Sequence, residues 1–140
     1  MSVEKNKAAV RTVVEEIWNK GNLDVIDKHI SHNFIYQGLL GEYRGTDGFR
    51  QMVKDARAIF PDIHYTIDEM FGEGDKLAVQ YTMTGTMKGA MMSIPPTGKQ
   101  IKATVAFFYR FEDGKEAEAL PFSDSLTMFQ QLGIPFPGNK

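Results

Sequence analysis

The chain has 140 residues, no cysteine, and a formal net charge of −2 from 16 basic and 18 acidic residues. This size suits one domain (1–140) with a core of its own, and the lack of cysteine excludes disulfides, thiolate catalysis and thiolate metal sites. No run of like charges offers a stripe for nucleic acid, and no apolar stretch is long enough to span a bilayer. The N-terminal residues lack the apolar segment of a signal peptide, so a cytoplasmic protein without nucleic-acid or membrane partners is expected.

Helical patterning opens the chain. Val10, Val13, Val14, Ile17 and Trp18 recur at three- and four-residue spacing, and Gly21 ends the pattern. Asn22 is placed to cap a short second helix carrying Leu23, Ile26 and Ile30. Phe34, Ile35 and Tyr36 read as a short strand, and Gly41 and Gly45 bracket a loop. Thr46 is the expected cap of a third helix, whose apolar residues are Phe49, Met52, Val53, Ala56 and Phe60, with Pro61 stopping it.

The second half reads as strands. The first covers residues 63–71 and turns at Gly72–Asp75. In the next, Leu77, Val79, Tyr81 and Met83 alternate with Ala78, Gln80, Thr82 and Thr84. Residues 101–111 place Ile101, Ala103, Val105, Phe107, Tyr109 and Phe111 on one face, and Lys102, Thr104, Ala106, Phe108 and Arg110 on the other. Asp113-Gly114 turns into a last strand over 115–122, and residues 125–132 form a closing helix ended by Gly133 and Pro135. Helices followed by hairpin-linked strands argue an α+β fold, with helices on one face of an antiparallel sheet.

Several segments carry a family resemblance. They are Glu16–Asp24, Arg44–Phe49, Phe60-Pro61-Asp62, Gly85–Gly89, Ile94–Lys99, Arg110–Lys115, Asp124 and Gln131-Leu132-Gly133. In this order they resemble the SnoaL-like polyketide cyclase and ester cyclase family of the NTF2-like superfamily. The resemblance implies a cone: a curved, mostly antiparallel sheet wrapped on three helices of the N-terminal half. It also implies a pocket at the mouth of the cone and a homodimer. Members of the family close polyketide esters by an intramolecular aldol reaction, with neither metal nor organic cofactor. The partner expected is therefore a small hydrophobic carbonyl compound.

Asp124 matches the family's acid/base aspartate after the last strand. A cofactor-free aldol closure needs a base beside a carbonyl and then an acid for the alkoxide. One carboxyl group in an apolar pocket can serve as both, because desolvation raises its pKa. Ser123-Asp124-Ser125 also precedes a predicted helix, where Asp is a favoured cap, and both roles stay open. The family's cyclases pair this aspartate with a histidine on a neighbouring strand. The histidines here are His29, His32 and His64, none of which lies in that half of the sheet. Arg110 can stand in as partner, but it would lower the Asp pKa.

Tyr36, Gln37, Tyr81, Thr104, Phe108 and Arg110 are the candidate substrate-binding residues, and Tyr36 is a donor for a developing oxyanion. Arg44 and Lys99 are rim charges or solvated loop residues. Met91-Met92 is a lid or part of a dimer contact, and Phe107, Tyr109 and Phe111 are a candidate dimer face. His29 and His32, three apart, suit a helix C-terminus better than a metal. The expected activity is a cofactor-independent cyclase, lyase or isomerase, with a non-catalytic binder of hydrophobic ligands as the alternative.

Overall fold

A computed structural model gives the structure, and it describes residues 2–38 and 41–135. Ser2 caps the first helix, α1 (Val3–Thr12), by accepting from the Lys5 N–H. The helix then widens into a π-helical segment, Val13–Asn19, which keeps Val13, Val14 and Ile17 buried. Asn22 accepts from the Asp24 N–H and starts a 3-10 turn, Leu23–Val25, that runs into α2 (Ile26–His29).

Ile30 does not end that helix as its spacing predicts. It opens strand β1 (Ile30–Gly38), which pairs with β2 (Gly41–Arg44) where a loop is expected. The expected Thr46 cap is also displaced: α3 (Gly45–Ile59) begins two residues earlier, after Arg44, with no side-chain cap. Four long strands follow: β3 (His64–Glu73), β4 (Lys76–Thr86), β5 (Gln100–Glu112) and β6 (Lys115–Ser123). The last helix, α4 (Ser125–Leu132), ends at Gly133 in the left-handed conformation that glycine adopts without penalty.

The strands form one sheet in the order β2-β1-β6-β5-β4-β3, curved and not closed into a barrel. The β1–β6 pair is parallel and the other pairs are antiparallel, so the expected α+β cone is the fold observed. Register shifts interrupt β1 between Ile30 and Ile35, β3 between Ile67 and Glu69, and β5 between Arg110 and Phe111. Bulges of this kind bend a strand and increase its twist, which lets a six-stranded sheet wrap around helices.

The concave face carries Leu77, Val79, Tyr81, Met83, Val105, Tyr109 and Phe111, packed against Val10, Val13, Val14, Ile17, Phe49, Met52 and Val53 of the helices. Edge-on ring contacts link Trp18 to Phe49 and Tyr65, and Phe34 to Phe49. Among the described residues no helix is long and apolar enough to cross a membrane.

Candidate functional site

The cone encloses a cavity of about 130 Å³ between its concave face and α3. Its walls include Trp18, Tyr36, Tyr43, Met52, Phe60, Tyr65, Met83, Met91, Phe107 and Met128, and none of its lining residues is charged. The polar groups there are phenolic or hydroxylic. Tyr43 donates to Asp55 Oδ2 at 2.8 Å, and burial and that carboxylate raise its pKa to about 12. Burial alone raises Tyr36 above its ordinary value. Both hydroxyls stay protonated at neutral pH; the Tyr43 proton is committed to Asp55, and Tyr36 can donate to a ligand.

Beyond the cavity, toward the closed end of the cone, lies a void of about 10 Å³. It shares Trp18, Met52, Tyr65 and Phe107 with the larger cavity, and adds Tyr81, Tyr109, Ala119 and Glu116. The Tyr81 and Tyr109 hydroxyls lie 2.6 Å apart. Glu116 is 2 % exposed, and its Oε2 has no hydrogen-bond partner. Desolvation raises its pKa to about 8. A buried carboxylate without a partner is costly, so at neutral pH the neutral acid dominates.

Sequence reasoning missed Glu116 because strict alternation puts it on the same outer face as Glu118. The ladder explains the difference. Phe111 faces Glu116 and Arg110 faces Glu118, so Ala117 is an extra residue in β6. The bulge turns Glu116 inward, opposite inward-facing Phe111, while Glu118 stays outside. The sequence contains no local signal for that extra residue.

The expected site residues divide between the two faces of the sheet. Tyr36 lines the cavity and Tyr81 lines the void at its closed end. Gln37 is exposed, donating to Glu42 Oε2 at 2.7 Å. Thr104, Phe108 and Arg110 lie on the outer face, opposite Phe107 and Tyr109, so the expectation that they line the pocket is corrected. Alternation on β5 cannot place both sets inside. Arg110 pairs there with Glu112 at 2.8 Å, and Glu118 lies 3.9 Å away. Phe107, Tyr109 and Phe111 face inward and cannot form a dimer surface.

Asp124 caps α4. The Thr127 N–H donates to its Oδ1 at 3.0 Å and the Thr127 hydroxyl to its Oδ2 at 2.6 Å. These bonds hold its pKa below the usual carboxylate range, and the side chain is exposed. Its neighbours Ser123 and Met128 line the cavity, which places Asp124 at the rim. Met91 forms part of the wall, whereas Met92 is exposed. Arg44 pairs with Glu42 in solvent, and Lys99 is exposed beside Gly133. Among the described residues no group of three or more His, Asp or Glu side chains is placed to hold a metal ion.

A curved sheet closed by helices over an uncharged, aromatic cavity defines a small-molecule pocket protein of the α+β cone type. The chain belongs to the SnoaL-like polyketide cyclase family, whose model matches residues 8–132. It is 26% identical to the aklanonic acid methyl ester cyclase DauD of Streptomyces sp. strain C5, over 91% of this chain and 81% of that protein. It is also 26% identical to the aklanonic acid methyl ester cyclase DnrD of Streptomyces peucetius, over 91% of this chain and 90% of that one. Among solved structures it resembles TsrD from Streptomyces laurentii, with a TM-score of 0.86 at 21% identity, covering 96% of this chain and 99% of that one. It also resembles IdmH from Streptomyces antibioticus, with a TM-score of 0.78 at 26% identity, covering 92% of this chain and 99% of that one.

Proposed function

We propose that this protein is a cofactor-independent cyclase acting by acid/base chemistry on a compact hydrophobic carbonyl compound. The observation that carries the reading is the uncharged cavity rimmed by Tyr36, Tyr43 and Ser123, in a chain of the polyketide cyclase family. At about 130 Å³ the cavity is smaller than the roughly 300 Å³ typical of drug-sized pockets. That favours a ligand of one or two fused rings over the larger ester that names the curated relatives. A cytoplasmic setting belongs to the same proposal, supported by a chain that contains no cysteine.

Asp124 is the base in this reading. Thr127 keeps it ionised, so it can accept a proton, but its depressed pKa makes it a poor acid for returning one. To reach a substrate it must release Thr127 and turn past Ser123. Asn caps helices as well as Asp does, so Asp124→Asn should fold normally, as judged by Tm, while Asp124→Ala should lower Tm. Turnover of a diketone ester, followed as formation of an isomer of equal mass, is expected to fall at least a hundredfold in Asp124→Asn. Unchanged turnover would leave Asp124 a cap and nothing more.

The second reading is a binder that does no chemistry, and the commitment of Asp124 to its cap favours it. It expects a ligand that co-purifies with the protein and emerges chemically unchanged after incubation.

A homodimer is part of the proposal. The outer face of β5 and β6 exposes Phe108, Leu120 and Phe122, with the Phe108 and Phe122 rings 5.4 Å apart. Arg110 and Glu118 lie on the same face, one positive and one negative, so a second copy turned by a two-fold axis would find opposite charges beside its own apolar patch.

A further inference from the structure

The closed end of the cone holds chemistry that the cyclase reading does not use. Three elements converge there: Tyr81 on β4, Tyr109 on β5 and Glu116 at the bulge of β6. Two hydroxyls in mutual contact can share only one proton between them, which leaves the other free to donate elsewhere. Glu116 Oε2 is buried, unpartnered and borders the same void. A void of about 10 Å³ has room for roughly one water or one ligand oxygen atom, and not for a ring.

We propose that Glu116, with the Tyr81–Tyr109 pair, forms a neutral hydrogen-bond-donating site that takes the carbonyl oxygen of the ligand whose apolar body fills the larger cavity. The proposal rests on the reading of that cavity as a ligand pocket. It deepens that reading by fixing the ligand's orientation: oxygen toward the closed end, hydrocarbon toward the mouth. Donors aimed at a carbonyl oxygen from a dry site also stabilise the charge that gathers there when the adjacent carbon loses a proton. Such a site complements a base at the rim, since carboxyl groups whose environments push their pKa values apart take opposite roles.

Among the described residues, no ionised side chain lines the void beside Glu116. The titratable groups beside it around the void are Tyr65, Tyr81 and Tyr109, all of which burial keeps protonated. The helices contribute Val14, Trp18, Phe49 and Met52. On the other strand neighbours, Ile30 and Phe111 stand opposite it. Asp27, Lys28 and His29 belong to α2, which also packs on β6; the first two are exposed and His29 is half-buried.

The test uses the whole chain and two probes of one skeleton, 1-tetralone and its oxygen-free analogue tetralin. Binding is followed by calorimetry and by the fluorescence of Trp18, the chain's one tryptophan, which lines both spaces. Below about pH 8, wild type should bind the ketone about tenfold more tightly than the hydrocarbon. Above it, as Glu116 ionises, that preference should vanish. Glu116→Gln retains an N–H donor and should keep the preference at every pH. Glu116→Met should reduce it and make it independent of pH, bind tetralin as wild type does, and show no loss of Tm, because an apolar side chain replaces an unpartnered carboxyl group. A ketone preference that is undiminished in Glu116→Met, or is independent of pH in wild type, overturns the proposal. Tetralin binding with no preference for the ketone overturns it alone, whereas failure of both probes to bind overturns the cavity reading as well.

Discussion

Glu116 couples folding to pH. Its pKa rises from an ordinary 4.5 to about 8 in the folded chain. Between those values the native state holds a proton that the unfolded state has released. Stability must therefore fall as pH rises through this window, by an amount on the order of a few kcal/mol. Chemical denaturation of wild type at a series of pH values should show that decline, and Glu116→Gln should flatten it. A wild-type profile that is flat across the window would show that Glu116 is solvated in solution. Asp124 has the opposite sign: its depressed pKa adds stability that is lost only as pH falls through the acid range. Two carboxyl groups near either end of β6 thus differ in protonation because one meets Thr127 and water, and the other meets rings.

At the scale of elements, the wall of the cavity depends on how the β4–β5 connection docks on α3. The Lys88 and Gly89 N–H groups both donate to the Ile59 carbonyl oxygen, and Met91 and Ile94 exchange two backbone bonds in a tight turn. That docking seats Met91 in the wall. Close approach requires glycine at 89: a Cβ there would overlap the Ala58 carbonyl oxygen and lie 2.9 Å from its carbon. Gly89→Ala should destabilise the protein by about 2 kcal/mol or more, read by denaturant unfolding, and should also weaken ligand binding by displacing Met91. Unchanged stability would mean that the connection moves away from α3 at little cost.

For the molecule as a whole, the proposed homodimer makes the outer face the place to test assembly. Phe108, Phe122 and Leu120 are 51%, 53% and 42% exposed, which is unusual for adjacent large apolar side chains on one sheet face. Sedimentation equilibrium should give twice the chain mass for wild type. Replacing Phe108 and Phe122 together by Lys should give the monomer mass without loss of Tm, because neither side chain is in the core. A wild type that sediments as a monomer would rule out the second copy as the occupant of this face.

Much of this protein is legible in its residue pattern. The apolar spacing of α3, the alternation along β4 and β5, the turns at Gly74 and Gly114 and the cap at Asp124 are local, and they follow from helical and strand periods. The α+β class follows from their order. Two features depend on how neighbouring strands pair across their turns, and no period along a single strand reports them. Strand β2 exists because β1 lies beside it. The inward turn of Glu116 exists because β5 and β6 slip by one residue at Ala117. The cap at Asp124 is local, but its place at the rim of the cavity follows from where α4 packs. Local chemistry determined which residues can be strand, helix or cap. The tertiary ladder decided which carboxyl group entered the dry interior, because a one-residue slip reverses the face of every side chain beyond it.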